Sequence, residues 1–584
     1  MDSNLLNSRD CKEAVLSENT YDYITDFSLS DFIGMGEAFC YANVDDAYNI
    51  LYLDGAGIPD WGAEAFQYQS IPKLYGLTPI EGGTGGFNPD ALIASGILQV
   101  QREPLNLTGR GCVICFIDTG IDYTLDAFRD EAGNSRILAI WDQTIQTGTP
   151  PEGYLYGSEY RREEINQALT ADDPYAVVPS RDTNGHGTIM ASLAAGSRST
   201  GQERLVGAAP EADIVVVKLK ECKQYLRRML LIPPGAVAYQ ENDIMLAVQY
   251  ADSFTEVLNR PVIICLGLGT NMGDHAGNSV LSRYLNTVAV RRSRAVVVCG
   301  GDEGNASHHF RGRQPRVNNA NEAPASDESD MNVEVRVADG CSGFVMECWS
   351  SLPDTLQVGV RSPGGEEIPP LRINSGQAIT YRLVYEDTII TLGTTLVEPS
   401  SGEQLLRFWL QAPTPGIWTF EVTSPGTLYN GTFDMWLPIT EFLDAPVYFL
   451  RPDPYITITE PAMASEVITT TSYNSANLSF AIDSGRGFAR TGIIRPDLAA
   501  PGVNVSTIRG VQSGSALAAA ITAGAVAQLF QWAVVEKRSL YAESRELKSY
   551  LIRGAARSDT LSYPNRDWGY GRLQIEGAFE SLRE

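Results

Sequence analysis

Four short runs constrain this chain most: GCVICFIDTG at 111–120, ADIVVVKLK at 212–220, PVIICLGLG at 261–269 and RAVVVCGG at 294–301. Each is apolar and β-branched, with no alternation. A strand with one face in water alternates apolar and polar residues. One that does not alternate is buried on both faces, as in a parallel sheet. Parallel neighbours need crossover connections, and helical stretches such as NDIMLAVQYADSFTEVLNR (242–260) and SVLSRYLNTVAVRRS (279–293) lie between the runs. The pattern predicts an α/β domain built on a doubly wound parallel sheet.

The texture changes near NEAPASDESD (321–330). From there to residue 450, alternating stretches such as NVEVRVADG, AITYRLVYED and IWTFEVTS are separated by turn residues. They predict an antiparallel β-sandwich of the jelly-roll kind. The α/β texture resumes with ITITEPAMASEVITTTSYNSA, so the β-domain is an insertion. The expected division is a small N-terminal segment at 1–70, the first α/β part at 71–322, the insertion at 323–454 and the second α/β part at 455–584. YQSIPKLYGLTPIEGGTGGFNPD (68–90), dense in Gly and Pro, reads as a linker or exposed passage.

Composition narrows the function classes. With 584 residues, 43% hydrophobic and 20% charged, the chain has the balance of a folded soluble protein of several units. A net charge of -27 argues against nucleic acid and anionic membranes as partners. No secretory signal is visible at the N-terminus, and no membrane span is expected. The nine cysteines are odd in number and irregularly spaced, which argues against a disulfide framework and for a reducing, cytoplasmic compartment. Cys112 and Cys115 form a CxxC, but residues three apart on a strand face opposite ways, so both read as core rather than metal ligands. The acidic loops show no convincing calcium spacing, and no metal or cofactor is expected.

Three stretches carry chemistry. In FIDTGID, Asp118 leaves a buried strand at the carboxyl edge of the sheet, where open α/β proteins build sites. In DTNGHGTIMASLAAG, His186 sits between two glycines at a helix start; the chain has four histidines in all. Together they read as a base and its orienter. The third is VQSGSALAAAITAG (511–524), a helix start whose positive end suits developing negative charge.

Asp, then His, then a helix-start residue near the C-terminus is the order of subtilisin. FIDTGID, NGHGT and GSALAAAITAG resemble the three motifs of subtilisin-like serine proteases. IWDQTIQTGTPPEGYLYGSEYRREEINQAL, GNASHHFRG and FAIDSGRGFARTG resemble the clostridial Csp germination proteases more closely. The resemblance implies an N-terminal prodomain cut near Tyr68–Ser70 and a jelly-roll insertion. It also implies a substrate edge at Leu266, Gly267, Leu268 and Gly269, in the strand CLGLGT.

Two positions depart from the family. Anchored on Ala523–Gly524, the nucleophile position holds Ala516, and Ser515 stands one residue before it. A one-residue slip that offered Ser515 instead would turn the side chain about 100° around the helix. VVVCGGDEGN puts Asp302 at the oxyanion asparagine, exchanging an amide donor for an acceptor that is charged at neutral pH, although a carboxyl kept protonated in an apolar site could still donate. The expected function is that of a pseudoprotease regulating or binding partners in spore germination. Those partners are relatives or a cortex-lytic zymogen, met in the cytoplasm at synthesis or in the spore, with the protein's own prodomain still bound. Two alternatives stand beside it. One is an active or engineered-inactive endopeptidase that processes such a zymogen; the other is an interaction module using the jelly roll.

Overall fold

The computed structural model describes residues 9–26, 40–54, 68–83, 90–197, 206–314, 332–370 and 374–582. The expected boundary at 322–323 falls outside them. All four apolar runs lie in one nine-stranded sheet. Its order is Ser479–Phe480, Ile468–Asn474, Arg294–Cys299, Val262–Leu266, Val113–Asp118, Asp213–Lys218, Ile137–Asp142 and Ser158–Arg161, with Leu498–Pro501 beside Ile468–Asn474. Every pairing is parallel except those of Ser479–Phe480 and Ser158–Arg161.

Val113–Asp118 shows why the run does not alternate. Ile114 and Phe116 pack into one core; Val113, Cys115 and Ile117 pack into the core on the other face. Cys112 belongs to the first core and Cys115 to the second, so the CxxC is split by the sheet. One face is covered by helices His186–Ala195 and Ser515–Phe530, the other by Glu241–Leu258 and Val280–Ala289. Ser515–Phe530 is buried at every residue. Its small side chains allow this: a Cβ on Gly524 would lie 2.3 Å from the Ala208 Cβ. Helical structure continues to Val535, and the stretch from Ser515 to Val535 is long and apolar enough to cross a membrane. No such stretch was expected from the sequence, and this one is a core helix, with its most apolar window 83% buried.

Near the N-terminus, helix Arg9–Leu16 lies beside a three-stranded antiparallel sheet of Thr20–Thr25, Asn49–Asp54 and Cys40–Asn43, with Asn49–Asp54 in the middle. A Cys11–Cys40 disulfide closes this unit, against the expectation of reduced cysteines; the other seven are free and buried. The unit docks through buried Asp22, which accepts from Lys223 Nζ at 2.6 Å, Gln240 Nε2 at 2.6 Å and Asn242 Nδ2 at 3.2 Å.

The insertion is a sandwich of a six-stranded and a five-stranded sheet, paired antiparallel throughout. Phe344, Met346, Phe408, Trp418, Phe420 and Phe433 fill the space between them. Its first strand is His309–Arg313, which pairs with Thr432–Trp436. The sandwich thus takes up the chain ahead of residue 323, because GNASHHFRG supplies an edge strand rather than a loop.

Candidate active site

Asp118 is the last residue of the central strand Val113–Asp118, and His186 is the first of helix His186–Ala195. The helix packs on that strand with its N-terminus at the strand's carboxyl end, which brings the two side chains together. His186 Nδ1 lies 2.8 Å and 2.9 Å from the Asp118 carboxylate oxygens, and both residues are buried. Ala516 is the second residue of helix Ser515–Phe530 and fully buried; its methyl group offers no hydroxyl to attack or to donate.

The other face of His186 is already engaged. Its Nε2 lies 2.9 Å from the Thr78 carbonyl oxygen. Thr78 belongs to the stretch that reads as a linker from its sequence, and here that reading is overturned. Strand Leu74–Leu77 lies antiparallel between two short edges, with Leu77 opposite Leu268, Gly76 opposite Gly269, Tyr75 opposite Tyr239 and Leu74 opposite Gln240. Thr78 extends the pairing, donating from N and Oγ1 to the Gly267 carbonyl at 3.0 Å each. Beyond Pro79, Glu81 and Gly82 pair with Ser513 and Gln512, just ahead of the Ala516 helix. The chain passes close over Gly514, where a Cβ would lie 2.2 Å from the Pro79 carbonyl oxygen. Residues 74–82 therefore run through the groove as an extended peptide.

Of the expected edge residues, Gly267, Leu268 and Gly269 contact this peptide. Leu266 does not: it pairs with Ile117 and Val298 inside the main sheet. The opposite edge, Tyr239–Gln240, was not foreseen from the sequence; at two residues it is too short to leave a periodic signal. The residue presented to His186 is Thr78, not one in Tyr68–Ser70. That stretch is a buried 3-10 turn held by the insertion, where the Tyr68 hydroxyl bonds both Glu347 oxygens at 2.8 Å and 3.0 Å.

Nδ1 faces a carboxylate and Nε2 a backbone carbonyl, both acceptors, a setting that favours the doubly protonated ring. Burial opposes this charge, but Asp118's charge and hydrogen bond, aided by the Thr78 carbonyl, hold His186 above the ordinary histidine value. In that form the ring has no lone pair left to accept a proton.

Asp302 follows strand Arg294–Cys299 and meets the start of the Ala516 helix. The Ser515 N–H bonds its two oxygens at 3.1 Å and 3.2 Å, and the Ser515 hydroxyl donates to Oδ2 at 2.8 Å. Burial, reinforced by Asp483, pushes the Asp302 carboxyl up to about 8, so its charge is far less firmly held at neutral pH than that of an ordinary aspartate. The described bonds tie it to Ser515 and not to Thr78. Ser515, next to Ala516, is thereby committed to Asp302 rather than to His186. Among the described residues, no group of His, Cys, Asp and Glu is placed to hold a metal ion.

This arrangement, with Asp118 and His186 at the edge of a parallel sheet and an extended peptide between antiparallel edges, is that of a subtilase. The subtilase family model matches residues 109–371, just under half of the chain, which is similar to that family. Among solved structures, the CspB protease of Clostridium perfringens is similar over 85% of this chain and 98% of its own, with 29% identity and a TM-score of 0.74. The epidermin leader peptide processing serine protease EpiP of Staphylococcus aureus aligns over 97% of this chain and 99% of its own, at 11% identity and a TM-score of 0.42. No curated protein matched the chain.

Proposed function

We propose that this subtilase is a pseudoprotease that holds an extended peptide instead of cutting it, and that it regulates or binds partners in spore germination. The observation that carries the reading is segment 74–82 paired along the groove, with the Thr78 carbonyl oxygen 2.9 Å from His186 Nε2 beside a helix start that holds Ala516. Acyl transfer needs a nucleophile, a base with a free lone pair and a donor for the oxyanion. Here the first position is a methyl group, the second faces the Thr78 carbonyl, and the third is a carboxyl bonded to Ser515. The likeness to CspB supports the Csp branch, and with it a protein or peptide partner met during germination, either a related protease or a cortex-lytic zymogen.

The mechanism is then competitive holding. Main-chain pairing on both edges supplies affinity, and the pockets around Tyr75 and Thr78 supply fit. A partner segment gains the groove when residues 74–82 leave it. Intact-mass measurement of freshly expressed protein tests the reading. One chain at the full mass of 63.6 kDa is expected. Two fragments divided anywhere between Tyr68 and Pro79 would mean that the site cuts.

A further inference from the structure

The peptide in the groove is covered on one side by the inserted β-domain. After strand Thr432–Trp436 the chain turns into a 3-10 helix, Thr440–Phe442, that lies over Leu74–Leu77. A Cβ built on Gly76 would lie 2.6 Å from Ile439 Cδ1 and 3.3 Å from Phe442 Cε1. Ordinary carbon–carbon contacts are about 3.5–4.0 Å. The roof has little room to retreat. Ile439 and Phe442 are 3% and 1% exposed and pack in one cluster with Ile71, Leu74 and Leu226. The backbone between them is pinned as well, since Thr440 donates from N and Oγ1 to Glu303 at 2.9 Å each. Glu303 is in turn bonded to His308 at 2.5 Å.

Resting on the peptide-holding reading, we propose that the insertion makes this groove glycine-selective. It accepts an extended protein segment that carries glycine two residues before the residue presented to His186, and Ile439 and Phe442 set that rule. The protein's own Tyr75-Gly76-Leu77-Thr78 is the template for such a partner. Tyr75 is fully buried, opposite Tyr239 in the sheet and with Glu241 and Glu460 near its hydroxyl, so the position before the glycine is a closed pocket.

The test uses the full chain. Gly76→Ala is expected to speed amide hydrogen exchange across residues 74–78 by about tenfold or more, the effect of forcing one methyl group into a packed site. Adding Ile439→Ala in the same chain is expected to return exchange to near the parent rate. A second arm covers the case in which Gly76→Ala misfolds. The full chain with Tyr75→Ala and Leu77→Ala, which weakens the resident segment, is titrated with a fluorescein-labelled synthetic peptide of residues 72–83. The same peptide with alanine in place of Gly76 is expected to bind about tenfold more weakly, and to recover when Ile439→Ala is added to the protein. Unchanged exchange in Gly76→Ala, or equal binding of the two peptides, overturns the glycine rule and leaves peptide holding intact. No binding of either peptide overturns both.

Discussion

His186 keeps its orienting carboxylate but spends its second nitrogen on the Thr78 carbonyl, so a residue of catalytic type has become a clasp. The clasp depends on charge. His186 titrates above its ordinary value of 6.5, so its contribution to stability is full below 6.5 and is lost as pH rises through the higher value of the folded state. Asp302 acts in the same direction for a different reason. Its carboxyl stays protonated up to about 8 when folded, against 3.8 in the open chain, so stability falls as pH rises across that interval. Thermal unfolding scans across pH should show stability declining from mildly acid to mildly alkaline conditions. Asp302→Asn should remove the part of the decline that ends near 8, and His186→Ala the part that begins near 6.5. A second expectation concerns repair. With Ala516→Ser alone, the Asp302 carboxyl is still engaged by Ser515 and offers no amide donor; adding Asp302→Asn should raise any hydrolysis or probe reactivity by about 10²–10³-fold, the usual worth of one such donor. Asp118, His186 and Ala516 were legible because each sits where a strand ends or a helix begins, and those ends carry glycine signals. A protonated Asp302 could be named from the sequence but not decided there, because the shift depends on burial and on Asp483, far away in the chain.

At the scale of elements, the segment 74–82 shows what a single sequence conceals. Its four-residue strand is flanked by Pro72 and Pro79, and both hydrogen-bonding partners lie more than a hundred residues away, at Tyr239–Gln240 and Leu268–Gly269. Neither length nor periodicity marks such a strand, and the density of Gly and Pro argues for a loop. The long buried strands of the main sheet were legible for the opposite reason: each is an apolar run that only burial on both faces explains. The N-terminal sheet is held to the body by the buried pair of Asp22 and Lys223. Asp22→Ala leaves that ammonium without its counter-charge, and chemical denaturation should show a loss of about 3–5 kcal/mol. If the N-terminal unit also steadies the groove segment, limited proteolysis of this variant should cut first within residues 68–83.

For the whole molecule, the insertion does more than interrupt the α/β domain. It holds the 3-10 turn Tyr68–Ser70 through Glu347, which also accepts from the Gly273 N–H at 3.0 Å, and it roofs the groove through Ile439 and Phe442. One buried carboxylate thus joins the sandwich to the groove wall and to the segment that enters it. Glu347→Ala should accelerate exchange at Tyr68–Ser70 and at Leu74–Thr78 together, while the sandwich strands keep their protection. The existence of the insertion was legible from its alternating strands, and its grip on the groove was not, since that grip is made by single residues with no local pattern. On the proposed reading, the fold binds a peptide at a site with no means to cut it. Fluorophosphonate labelling of the full chain tests this most directly, because the probe requires an activated serine. The proposed function predicts no labelled residue in the protein as it stands; a labelled Ser515 would show that a working nucleophile is present and that the site is a protease.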